Sequence, residues 1–154
     1  MKSDKRAIFD KILRRENFIS PPYFSGEFDC DDCEAVCINA CDKDLLKFDG
    51  KKVKFIPNEK GCDFCRKCAI SCENSKRLTL SLKFPAEIHA IAEISVNSCL
   101  AWNGVVCYNC FDICKFKAID YFGVFRPVIN NKCVGCAECI GSCFKNAITL
   151  KAEV

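Results

Sequence analysis

Two runs of cysteine, Cys62-Asp-Phe-Cys65-Arg-Lys-Cys68-Ala-Ile-Ser-Cys72 and Cys133-Val-Gly-Cys136-Ala-Glu-Cys139-Ile-Gly-Ser-Cys143, share the spacing C-x2-C-x2-C-x3-C. Three thiolates so spaced wrap one face of an iron–sulfur cube. The fourth lies past a short helical turn and points away. In two-cluster proteins it ligates the other cluster, so each run implies a second set of cysteines. Each run has one upstream: Cys30/Cys33/Cys37/Cys41 and Cys99/Cys107/Cys110/Cys114. These four groups use all sixteen cysteines of the chain.

The crossing rule then predicts four ligand sets. Cys30, Cys33, Cys37 and Cys72 would hold one [4Fe–4S] cluster, and Cys41, Cys62, Cys65 and Cys68 the next. Cys114, Cys133, Cys136 and Cys139 would hold a third, and Cys99, Cys107, Cys110 and Cys143 a fourth. The expectation is up to four clusters and at least three. The long gap between Cys99 and Cys107 leaves a three-iron or missing cluster open in the last set. Zinc also takes four cysteines, but typically from two C-x2-C knuckles separated by a loop. The other reading of a cysteine-rich chain is a disulfide framework, which needs an oxidising compartment.

An export signal is not evident. Residues 1–17 are rich in Lys and Arg and no apolar run follows. Arg14-Arg15 with Phe18 has a twin-arginine look, yet Ser20-Pro21-Pro22-Tyr23 stands where the apolar region should be. No stretch approaches the roughly 18 apolar residues of a transmembrane helix. The expectation is a soluble, cytoplasmic protein whose thiols stay reduced for metal. The net charge of +3 is modest and does not suggest nucleic acid. An enzyme is not expected either: there is no nucleophile–base pair, no nucleotide-binding glycine loop and no open metal site.

The elements around the cysteines repeat. Residues 1–25 read as a basic N-terminal arm and connector. Within it Ile8, Phe9, Ile12 and Leu13 share one helical face, which either packs on the body or docks on a partner. Residues 26–84 form a first module and 97–154 a second, joined by a connecting strand over 85–96 in which Ile88, Ala90, Ala92 and Ile94 alternate. In each module a cysteine group with a short helix is followed by a hairpin, a second cysteine group with its helix, and a closing strand. Asp49-Gly50 marks the first hairpin and Phe122-Gly123 the second. The closing strands are expected at 78–82 and 147–150. The fold class is therefore α+β, tandem bacterial-type 2[4Fe–4S] ferredoxin modules of short helices and small antiparallel hairpins. Too few Leu and Ile lie between the cysteines for a large core, so cluster ligation is expected to supply much of the folding free energy.

Smaller features carry weaker expectations. Glu27, Asp29, Asp31, Asp32 and Glu34 make the first group acidic, either for solubility or to lower a cluster's potential. His89, the single histidine, reads as structural, and Trp102 as a shield beside a cluster. Asp42, Glu73, Lys115 and Phe144 stand where proline usually follows the fourth cysteine. They retain backbone N–H groups that could reach cluster sulfur.

Ser20-Pro-Pro-Tyr23, Cys37-Ile-Asn-Ala-Cys41, Cys62-Asp-Phe-Cys65, Cys133-Val-Gly-Cys136 and above all the C-x7-C-x2-C-x3-C group opened by Cys99-Leu-Ala resemble the NapF family. The resemblance runs from about residue 20 to 150 and departs from the family pattern by one extra residue before Cys37. Members are ferredoxin-type accessory proteins of the periplasmic nitrate reductase system. The resemblance implies that the sixteen cysteines are iron ligands. It also implies a cytoplasmic protein whose partner is the precursor of the catalytic, molybdenum-containing subunit, which it helps to mature before export. The alternative is a general electron-transfer ferredoxin feeding a nitrate reductase or another reductase.

Overall fold

The computed structural model describes residues 18–153. The basic arm expected over residues 1–17 lies outside the described residues. Helices and strands are all short. In chain order they are α1 (Val36–Asn39), β1 (Leu46–Phe48), β2 (Val53–Phe55), α2 (Lys67–Asn74), β3 (Ala90–Ile94), α3 (Asn109–Ile113), β4 (Ile119–Phe122), β5 (Arg126–Ile129), α4 (Glu138–Ser142) and β6 (Ile148–Ala152). A 3-10 turn at Ala101–Asn103 precedes α3. None of these helices could persist alone in water, where about 12 residues or more are needed.

The two hairpins stand where Asp49-Gly50 and Gly123 led us to expect them. β1 pairs β2 antiparallel with Lys47 opposite Lys54, and β4 pairs β5 with Tyr121 opposite Pro127. Asp49 Oδ1 accepts the N–H groups of Lys51 and Lys52, which closes the first loop over four residues. The connecting strand becomes β3 and pairs with β6, Ala92 opposite Leu150, so it completes the sheet of the second half. The closing strand expected at 78–82 is reduced to one bridge, Phe24 to Leu80. Ser25 N–H donates to the Thr79 carbonyl and Ser81 N–H to that of Tyr23. Residues 23–25 thus do for the first half what β3 does for the second.

Leu45, Leu46, Val53, Phe55, Leu80, Ile88, Ile119, Ile148 and Leu150 are buried in one apolar cluster with cysteines of both halves. Two-stranded sheets are marginal by themselves, and this shared core is what they pack on. A smaller cluster of Cys99, Ala101 and Ala147 lies against Trp102. Trp102 donates Nε1–H to the Pro127 carbonyl at 3.0 Å and carries the Arg126 guanidinium on its ring at 5.4 Å. No described helix is long and apolar enough to cross a membrane.

Candidate metal centres

Every described helix carries a cysteine at its second residue and another four positions on: Cys37 and Cys41, Cys68 and Cys72, Cys110 and Cys114, Cys139 and Cys143. In α1, α2 and α4 the residue before the helix is held at positive φ: Ala35 at 53°, Arg66 at 69° and Ala137 at 68°. This left-handed step sits two residues before the helical cysteine and turns the preceding loop back over the helix start. One residue before the second cysteine of three groups, φ is again positive: Asp32, Phe64 and Gly135. The extra residue of the first group, Glu34, falls between Cys33 and the left-handed Ala35. The helix start is left as in the other groups.

The thiols gather in four quartets. Burial, then the neighbouring thiols of Cys72, Cys30 and Cys33, pushes Cys37 up to about 12. Cys68 is likewise pushed to about 12 by burial, with Cys62, Cys41 and Cys65 as its thiol neighbours. Burial pushes Cys139 to about 12, and Cys136, Cys133, Cys110 and Cys114 add to it. Cys110 reaches about 11 through burial and then Cys99, Cys107 and Cys143. Cys41, Cys62, Cys65 and Cys68 line one cavity, Cys114, Cys133, Cys136 and Cys139 a second, and Cys99, Cys107, Cys110 and Cys143 a third. Buried thiols that repel one another's ionisation are stable as thiolates only beside compensating positive charge, which iron supplies. The donor set fits a [4Fe–4S] cluster, which takes four cysteine thiolates.

Hydrogen-bond donors already aim at these sulfurs. Ala118 and Ala147 donate backbone N–H to Cys114 and Cys143 Sγ at 3.3 Å, four residues back in each case. Phe64 and Leu80 reach Cys62 and Cys72 Sγ at 3.4 Å, and Ala92 reaches Cys133 Sγ at 3.5 Å. These donors are other amides than those of Asp42, Glu73, Lys115 and Phe144, the residues directly after the fourth cysteines. For Cys114 and Cys143 the chain must first turn through Lys117 and Asn146, both at positive φ, before an amide faces back. Thr79 was missed by sequence reasoning. It is 1% exposed, accepts the Asp29 N–H at 2.8 Å and lies 3.4 Å from Cys30 Sγ. Its only sequence signal is a hydroxyl inside an apolar stretch, Leu78-Thr79-Leu80.

The C-x7-C gap is filled by the 3-10 turn. Asn103 Nδ2 donates to the carbonyls of Val96 and Cys99, and Gly104 at φ 85° turns the chain toward Cys107. Cys99 is thereby brought to Cys107, Cys110 and Cys143 despite its distance in sequence. His89 has its carbonyl bound by the Glu153 N–H and lines none of the three thiol-lined cavities described above.

Compared with curated proteins, the chain is 33% identical to the ferredoxin-type protein NapF of Escherichia coli K12 in an alignment covering 96% of this chain and 93% of that one. The chain belongs to the NapF family. The NapF of E. coli O6:H1 matches to the same extent. That of Haemophilus influenzae is 40% identical over 63 residues, 38% of this chain and 35% of its own. No family model matches, and no solved structure matches.

Proposed function

We propose that this NapF-family chain is a cytoplasmic iron–sulfur protein built as two tandem 2[4Fe–4S] modules, each thiol quartet holding one cluster. It assists maturation of the catalytic subunit of periplasmic nitrate reductase before export, by assembling or reducing that subunit's cluster. It acts as an accessory and electron-transfer protein without a reaction of its own. The observation that carries the cluster reading is the gathering of sixteen cysteines into four quartets, five of whose sulfurs already accept backbone N–H groups. A zinc site typically draws its four cysteines from two C-x2-C knuckles, whereas each of these quartets takes three thiols from one cysteine group and the fourth from the other group of its half.

The partner reading is supported by family membership and by an apolar surface at the fourth quartet. Rings of Phe111, Tyr121, Tyr108 and Phe125 meet in succession at 5.0, 5.5 and 6.3 Å. Val105, Val106, Phe122 and Val124 are more than half exposed in the same half of the chain. Such surface is what a protein partner covers. The test is anaerobic purification with an iron and sulfide count, followed by capture of the precursor subunit. About sixteen irons per chain, four for each cluster, are expected. A colourless protein would sink the cluster reading, and a loaded protein that leaves the precursor's iron content and activity unchanged would sink the maturation role. The alternative, a general electron carrier, is favoured if the loaded protein reduces several reductases at similar rates.

A further inference from the structure

Within each half, helices already tie two quartets together. α1 and α2 run between the first (Cys30, Cys33, Cys37, Cys72) and second (Cys41, Cys62, Cys65, Cys68). α3 and α4 run between the third (Cys114, Cys133, Cys136, Cys139) and fourth (Cys99, Cys107, Cys110, Cys143). Among the described residues no helix joins the halves. Besides the shared apolar core, the halves meet backbone to backbone between the second and third quartets. Cys62 N–H donates to the Cys136 carbonyl at 2.6 Å. Phe64, on the second quartet's cavity, meets Phe116, on the third's, edge to face with centroids 5.9 Å apart.

Glycine closes this contact from both sides. A Cβ on Gly61 would stand 2.6 Å from the Cα and N of Glu138, and one on Gly141 would overlap the Glu59 carbonyl. The internal repeat says that cluster ligation alone does not ask for glycine here. Ile70 occupies the place of Gly141 between the cysteines of α2, and Lys132 the place of Gly61 before the other run; both are exposed. At these two positions, where the halves meet, the side chain is absent, which is the use glycine has where backbones approach closely; Gly61 in addition stands at φ 58°.

We propose that this contact is the central joint of a four-station electron relay running first, second, third, fourth, and that Gly61 and Gly141 are positioning residues that set the separation of its two middle stations. The proposal rests on the cluster reading above. In each transfer one electron leaves a reduced [4Fe–4S] cluster and reduces its oxidised neighbour; no covalent bond is made or broken and no proton is carried. The electron would come from a one-electron donor of low potential, for which dithionite serves in the test, and would leave the fourth station to a one-electron acceptor of higher potential on the protein partner.

The experiment compares anaerobically purified wild type, Gly61→Ala, Gly141→Ala and Phe116→Leu, the last a milder loosening that leaves both glycines. Iron and sulfide are counted, the proteins are reduced with dithionite, and the microwave power that half-saturates the electron paramagnetic resonance signal is measured. Coupling across the joint speeds spin relaxation, while the pairs inside each half are the same in every variant. The expected result is unchanged iron content with half-saturation power severalfold lower in both glycine variants and lower by less in Phe116→Leu. Full iron with wild-type saturation in all three overturns the proposal. Iron loss in both glycine variants with wild-type saturation in Phe116→Leu also overturns it, because the glycines would then serve cluster retention alone. A wild type with far fewer than sixteen irons would instead overturn the underlying cluster reading.

Discussion

Replacing Thr79 with valine removes one hydroxyl from the wall of the first quartet and leaves the side-chain volume nearly unchanged. Thr79 Oγ1 accepts the Asp29 N–H at 2.8 Å, so its own proton is free for Cys30 Sγ at 3.4 Å. When Cys30 is a thiolate the hydroxyl must be the donor. Two hydrogen bonds are therefore lost, each worth about 1 kcal/mol net, and the exposed position of Asp29 lets water take its amide, which keeps the total near 2 kcal/mol. If cluster loss proceeds through opening of the first half, about 2 kcal/mol is roughly a thirtyfold faster loss, at about 1.4 kcal/mol per tenfold. The assay follows the visible absorbance of anaerobic protein in mild denaturant with an iron chelator, beside a Thr79→Ser control. Serine keeps both hydrogen bonds and gives up one buried methyl, about 1 kcal/mol, so its loss rate should fall between the two. Removing a hydrogen bond to sulfur should also lower one cluster midpoint in the valine variant and not in the serine variant. A valine variant that loses iron within twofold of the wild-type rate, with all midpoints unchanged, would refute the role given to this hydroxyl.

Gly135→Ala should destabilise the second half by more than about 1 kcal/mol, since φ there is 70° and the new Cβ would stand 2.7 and 2.8 Å from the carbonyls of Ala90 and Ile88. Selective iron loss is the readout. Tyr121→Phe should leave stability unchanged or raise it by about 1 kcal/mol, because the buried Tyr121 hydroxyl has no partner among the described residues; thermal denaturation decides, and a clear loss would count against it. Burial, then the thiol of Cys110 and the hydroxyl of Tyr108, pushes Tyr121 up to about 12 from the ordinary 10.0. Its folded-state value is raised, so its contribution to stability is complete below pH 10 and is lost as pH rises through about 12. An ultraviolet titration should accordingly find a tyrosine ionisation well above pH 10 that is missing from Tyr121→Phe.

What could be read from the sequence was what spacing fixes. The C-x2-C-x2-C-x3-C spacing separates Cys72 and Cys143 from the first three cysteines of their runs, and each lies instead beside the upstream group of its half; the hairpin at Asp49-Gly50 follows from a side chain that binds the amides after it. What could not be read depends on tertiary contact. The 78–82 strand shrank to one bridge because its partner segment, 23–25, follows Pro21-Pro22 and looks like a connector. Its burial beneath Leu80 and the bond from Tyr23 Oη to the Phe64 carbonyl have no local signature. Phe64 and Arg66 adopt left-handed backbone without being glycine, at a typical cost of about 1–3 kcal/mol each. Only the matching Gly135 in the second run hinted at it. The close approaches at Gly61 and Gly141 join residues of different halves and have no local signature either.

The pairing of residues 23–25 with 79–81, and of β3 with β6, leaves the two ends of each half side by side. A unit whose beginning and end are neighbours can be copied and joined to itself through a short exposed segment, here residues 83–87, without either copy having to refold. Such a chain grows by tandem gene duplication at almost no structural cost. What the two copies then had to acquire was not a new fold but a shaved surface, the missing side chains at 61 in the first and 141 in the second, by which two copies of one small unit became a single body.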